Sequence, residues 1–236
     1  MSEERRFATV EIAGPGRNLL NPEVMSGVEE GLRAADADPG VAGIVLTGRG
    51  EAFCAGLDTD AIAAGGDPIA FAGALVRILK LIPTLGTPVV AAVNGDAVAS
   101  GASLVAACDF AVAAPHALIG TREVSIGIWP MVAQVPLIQR LGPRAAMENI
   151  GSGEPFTAER ARELGLVNAV VPADEVLEAA HAWLAKAARA GAVGAVGRPT
   201  VYRLAELGYE DALDEALGLF TRMFREGQQE DREGRS

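Results

Sequence analysis

The chain has 236 residues, and 31 acidic side chains against 20 basic ones leave a formal charge of −11. Half of the residues are hydrophobic, enough for one core of generous size, while the excess of acid excludes a long nucleic-acid-binding face, which needs clustered cations. The acid is uneven: residues 206–236 hold 9 acids and 4 arginines, so −5 of the −11 falls in that segment. Only 5% of the chain is aromatic, whereas 44 alanines and 28 glycines make up nearly a third of it, which favours helices laid closely on strands.

In chain order, Phe7–Ala13 alternates as a strand does, and Asn21-Pro22-Glu23 supplies an N-cap, an N1 proline and a first-turn acid. Val24, Met25, Val28 and Leu32 then share one helical face. Val41–Thr47 and Pro88–Val93 are continuous apolar runs of buried-strand type, and Pro68–Leu85 between them has helical spacing. The small residues of Ser100–Cys108 predict a short helix ahead of a third strand, Phe110–Ala113. This strand–helix–strand rhythm argues for an α/β fold. Ala133–Leu141, Thr157–Leu164 and Glu175–Arg189 are amphipathic, with a short apolar run at Leu166–Val171. The glycines of 191–197 mark a linker, which divides the chain into a core, 1–190, and a helical appendage, 191–236.

Cys54 and Cys108 are too few for a disulfide framework and have no second Cys/His pair for zinc, so both read as small buried apolar residues in a reducing cytosol. No metal site is expected. The N-terminus lacks the apolar core of a signal peptide, and no apolar stretch approaches the ~18 residues of a membrane span, so the expected location is cytoplasmic, with no membrane partner. No GxxxxGK[ST] occurs, and Gly48-x-Gly50 lacks the further glycine of a dinucleotide fingerprint. Glycine turns can also expose backbone N–H groups, and two such groups converging from separate loops make an oxyanion hole.

Four segments, in order, carry a resemblance. Leu46-Thr47-Gly48-Arg49-Gly50-Glu51-Ala52-Phe53-Cys54-Ala55-Gly56-Leu57-Asp58 resembles the first signature of the crotonase superfamily, the enoyl-CoA hydratases and isomerases. Pro88–Gly95 running into Cys108-Asp109 resembles the second. Glu123-Val124-x-x-Gly127-Ile128-Trp129-Pro130 resembles the third, and Gly165-Leu166-Val167-Asn168 with Val170-Val171-Pro172 a fourth. The resemblance implies a spiral of ββα units with a C-terminal helical trimerisation region. It also implies an acyl-CoA thioester as substrate, no cofactor beyond the CoA that the substrate carries, and a homotrimer or dimer of trimers.

Residue by residue, the resemblance puts the first oxyanion donor at the N–H of Leu57 and the second at Ser100, with Gly101 its neighbour one register step on. Hydratases of this kind have two glutamates at the substrate; here the two positions read Ser103 and Glu123, so one carboxylate is present. Two carboxylates can hold a water and shuttle its protons, while one suffices to move a proton between two carbons of an enolate. Ser103 is either a small helix residue or a hydroxyl that orients water or substrate. Arg122 either pairs with Glu123 or points to solvent, and Trp129 either shapes an acyl pocket or packs in the core. Arg17 matches the family's CoA-binding cation after the first strand, and the adenine is expected near the loop formed by Ala55, Gly56 and Asp58. The segment 230–234 resembles the one before the family's last helix, whose lysine has no counterpart in this sequence.

Two other readings stand beside this one. The first is a non-catalytic acyl-CoA binder or scaffold, suggested by Ser103 in place of a carboxylate. The second is a Clp-like serine hydrolase using Ser100, which needs a nearby base. The only histidines are His116, expected in a loop, and His181, expected on a helix surface.

Overall fold

In the computed structural model the backbone is described for residues 6–233 and the side chains for residues 6–225. The chain opens with β1 (Arg6–Ile12), the single irregular turn α1 (Pro15–Asn18) and α2 (Pro22–Ala37). Asn21 caps α2 as its sequence predicts, its side-chain oxygen accepting from the Val24 N–H at 2.9 Å. Next come β2 (Val41–Gly48), α3 (Thr59–Ala63), α4 (Pro68–Leu81), β3 (Val89–Val93), β4 (Ala97–Val98), α5 (Ser100–Ala107), β5 (Phe110–Ala113) and β6 (Leu118–Gly120). A 3-10 turn at Glu123–Ile126 leads to α6 (Gln134–Ile150), β7 (Phe156–Thr157), α7 (Ala158–Glu163), β8 (Ala169–Val170), α8 (Val176–Ala187), α9 (Gly191–Ala205) and α10 (Tyr209–Glu233).

Five strands form one parallel sheet in the order β1-β2-β3-β5-β8, and β4-β6-β7 form a second, smaller one. The order shows the winding of the chain. β3 enters the large sheet, β4 the small one, and α5 follows; β5 and β6 repeat the pattern before α6. Each of these two turns therefore gives one strand to each sheet and then a helix.

The large sheet is covered on both faces, which is why its strands read as unbroken apolar runs. Ile44, Leu46, Val89, Ala91 and Val93 point into the main core beneath α2, α4 and α5. Their alternate neighbours Val45, Val90, Ala92 and Val112 meet Val176, Ala180 and Leu184 of α8 on the other face.

Three expectations need correction. The glycines of 191–197 do not form an extended linker: they lie in the first half of α9. That helix is held to the core from its second half, where Arg198 Nε donates to Asp109 Oδ2 at 2.8 Å and the Tyr202 hydroxyl donates to Asp109 Oδ1. Tertiary hydrogen bonds there outweigh the weak helix propensity of glycine. His181 is not a free surface residue, because its ring lies 5.4 Å from that of Phe7. The helix that begins near Ala133 continues past Leu141 to Ile150, with its break at Gly142, where φ is +73°, ahead of Pro143. The segment 230–234, and any question of a following lysine, lies outside the residues whose side chains are described.

Candidate active site

β4 and β6 run parallel, with Ala97 opposite Ile119 and Val98 opposite Gly120. Their C-terminal ends thus emerge side by side, β4 into Ala99-Ser100 and β6 into Thr121-Arg122-Glu123. The Ala99 N–H donates to the Gly120 carbonyl at 2.9 Å and fixes one exit against the other. Ser100, the first residue of α5, and Glu123 are in this way set on one edge of the small sheet, although 23 positions separate them.

The loop of the first signature reaches the same edge. Leu20 N–H donates to the Gly56 carbonyl at 2.8 Å and Asp58 N–H to the Leu20 carbonyl at 2.9 Å, so Leu57 is clamped on both sides. Its own N–H has no acceptor among the described residues; neither has that of Ser100 nor that of Gly101. Gly56, at φ +101°, brings the loop against α5: a Cβ there would stand 2.8 Å from the Ala99 Cβ and 3.8 Å from the Ser100 nitrogen. Gly101 has a packing role, since a Cβ at that position would come within 2.3 Å of the Cys54 carbonyl oxygen. The result is a pair of unpaired N–H groups, Leu57 on a loop and Ser100 at a helix N-terminus, next to each other. Preorganised donors of this kind stabilise a developing oxyanion by several kcal/mol.

Ala99 carries strain for this arrangement. Its φ of +52° and ψ of −121° are rare for any residue but glycine, and such strain concentrates at functional sites.

Glu123 is half-buried, and its Oε2 accepts from the Arg122 N–H at 2.9 Å. Among the described residues no ion pair joins the Arg122 guanidinium to Glu123; that side chain is exposed. Ser103 is fully buried, and its hydroxyl donates to the Ser100 carbonyl at 2.7 Å. The position at which the resemblance expects a second carboxylate thus holds a hydroxyl whose proton is committed to its own helix.

Arg17 lies over the first-signature loop, its carbonyl accepting from the Ala55 N–H at 3.1 Å. Its side chain is exposed and the guanidinium pairs with Asp96 at 2.9 Å. Asp58 uses its carboxylate to cap α3, accepting from the Ala61 N–H. Trp129 is 41% exposed, so it is not a core residue, and its Nε1–H donates to the Gln134 side chain at 2.9 Å. It stands in an exposed apolar stretch with Ile126, Ile128 and Met131. Two open grooves, of about 390 and 730 Å³, flank α2 and contain none of these residues.

Two positioning residues carried no sequence signal. Asn149, buried on α6, holds Thr121 and so the turn that carries Glu123. Asn18, at φ +59°, donates from its buried side chain to the carbonyls of Arg49 and Ala52 and anchors the first-signature loop. His116 is exposed between β5 and β6, and His181 lies on the face of the large sheet opposite α5. Neither stands beside Ser100. Burial pushes the Cys54 and Cys108 thiols up to about 12, so neither is a thiolate at neutral pH. Among the described residues no group of three His, Cys, Asp or Glu is arranged to hold a metal, and no helix is long and apolar enough to cross a membrane.

The sequence model of the enoyl-CoA hydratase/isomerase family matches residues 3–235. A putative enoyl-CoA hydratase of Thermus thermophilus is 38% identical over 190 residues, covering 76% of this chain and 74% of that protein. A probable enoyl-CoA hydratase of Mycobacterium tuberculosis, EchA14, is 35% identical over 189 residues, covering 76% and 71%. The solved enoyl-CoA hydratase of Mycobacterium smegmatis superposes with a TM-score of 0.82 at 29% identity, covering 90% of this chain and 86% of that one. With the two-sheet spiral and the order of its four signatures, the chain belongs to the enoyl-CoA hydratase/isomerase family and has the crotonase fold.

Proposed function

We propose that this enzyme moves a proton between two carbons of an enoyl-CoA through a thioester enolate, with Glu123 as the single proton-transfer carboxylate. The observation that carries the reading is the adjacency of two acceptor-free N–H groups, Leu57 and Ser100, at the strand edge that also presents Glu123. Glu123 takes a proton from C2 of a 3-enoyl-CoA, and the electron pair delocalises onto the thioester oxygen, which accepts from the two N–H groups. Protonated Glu123 then returns the proton to C4, giving the 2-enoyl-CoA. Nothing is consumed in the cycle, and no second carboxylate is needed, in keeping with a Ser103 whose proton is engaged by Ser100.

CoA enters as part of the substrate, and no further cofactor is required. Arg17 meets its phosphates, the Ala55-Gly56-Asp58 loop its adenine, and the apolar stretch around Trp129 the acyl chain. The exposed residues Leu213, Leu217, Phe220 and Phe224 repeat along one face of α10 at coiled-coil spacing, which supports a homotrimer or a dimer of trimers built through the C-terminal helices.

Purified protein offered 3-enoyl- and 2-enoyl-CoA thioesters should shift the double bond of the first faster than it hydrates the second. Glu123→Ala should lower kcat by at least ~10²-fold. Unchanged turnover in that variant would remove Glu123 from the mechanism; binding without turnover across the series would favour the non-catalytic binder.

A further inference from the structure

Ser100 brings more than a backbone N–H to this edge. Only 3% of the residue is exposed, yet its hydroxyl has no hydrogen-bond partner among the described residues. The hydroxyl is also not sealed in protein, since Arg198 Nη2 is the sole fully enclosed, unpartnered side-chain polar atom among them. Buried hydroxyls in native proteins are paired, so one without a protein partner, on a residue only 3% exposed and beside two acceptor-free N–H groups, is placed to meet a ligand acceptor. The neighbouring hydroxyl shows the contrast: Ser103 satisfies itself on the Ser100 carbonyl at 2.7 Å.

We infer that the Ser100 hydroxyl is a third donor to the thioester oxygen, beside the N–H groups of Leu57 and Ser100 itself. A gauche side chain places a serine oxygen alongside the nitrogen of the same residue, so one acceptor can take both hydrogen bonds. The strained Ala99 sets the direction of that first residue of α5, and Gly56 closes the other side of the pocket. The hydroxyl stays protonated throughout and only donates; with both histidines elsewhere it has no base to make it a nucleophile. This inference rests on the enolate reading above and adds to it a side-chain donor that strengthens as charge moves onto oxygen.

The test uses the full-length protein and acetoacetyl-CoA, whose bound enolate absorbs in the near ultraviolet. Ser100→Ala and Ser100→Gly both keep the backbone donors and delete the hydroxyl. Both should lower kcat on the order of 10²-fold with little change in KM, and both should raise the pH at which bound acetoacetyl-CoA ionises. Equal melting temperatures exclude a folding effect. Wild-type kcat or an unshifted enolate titration in either variant overturns the assignment while leaving the Leu57–Ser100 N–H pair in place. Absence of an enolate band in the wild-type protein itself overturns the assignment together with the enolate reading.

Discussion

Asn149 grips Thr121 at three points: Oδ1 accepts from the Thr121 N–H at 2.7 Å and from its hydroxyl at 3.0 Å, and Nδ2 donates to its carbonyl at 2.9 Å. The same Nδ2 donates to the Glu154 carbonyl at 2.8 Å. The two residues are buried and 28 positions apart. Asn149 thereby joins α6 to the turn two residues ahead of Glu123, and sets where that carboxylate stands without touching it.

Replacing Asn149 by Ala strands the Thr121 N–H, hydroxyl and carbonyl in the interior. A loss of about 3 kcal/mol in unfolding free energy is expected, together with a fall in kcat at a temperature where the variant remains folded. KM should change little, because the CoA loop lies on other elements. Urea unfolding and steady-state kinetics on the same preparation check this; wild-type kcat in the folded variant would show that Glu123 is positioned by something else.

Arg17 shares its charge with Asp96, so in the proposed CoA contact its attraction for phosphate is partly offset before substrate arrives. Arg17→Ala should raise KM roughly 5- to 10-fold, about 1 kcal/mol, with kcat intact. Asp96→Asn keeps an oxygen for the Leu118 N–H and releases the guanidinium, so it should lower KM. The wild-type KM should also climb with ionic strength, and Arg17→Ala should flatten that climb. A KM indifferent to both substitutions would remove Arg17 from the CoA site.

Two buried thiols and the half-buried Tyr202 make the fold sensitive to alkali. Cys54 and Cys108 are raised from 9.0 to about 12 by burial, and Tyr202 from 10.0 to about 12 by burial and the Asp109 carboxylate it faces. Below pH 9 all three keep their protons whether the chain is folded or not. Above it the unfolded chain releases them first, so the folded state loses ground until the pH passes about 12. Each fully buried thiol contributes a slope of about 1.4 kcal/mol per pH unit in that window, and Tyr202 adds in the same direction. The urea midpoint should fall steadily from pH 9 to 11, less so in Tyr202→Phe; a flat profile would mean that these groups are solvated.

Much of this architecture was legible because it is local. The cap at Asn21-Pro22-Glu23 forms within four residues, and the runs at Val41–Thr47 and Pro88–Val93 announce a doubly covered sheet through composition alone. The proposed site residues Leu57, Ser100 and Glu123 were picked out by their signatures. The short strands β4, β6 and β7 were not, since two or three residues carry no period, and the glycines of 191–197 read as a linker because propensity cannot register the Asp109 anchor.

The sequence by itself determined the α/β class, the family and that Ser103 and Glu123 occupy the two positions where the resemblance expects carboxylates, because residue identity at spaced positions is all these need. Only the tertiary structure decided that the Leu57 and Ser100 N–H groups lack acceptors, that Arg17 is already paired, that Ser103 is spent while the Ser100 hydroxyl is free, and that Asn149 steers Glu123. Arg17 meets Asp96 across 79 residues of chain and Asn149 meets Thr121 across 28; a donor's availability depends on what stands opposite it in space, and spacing along the chain does not encode that.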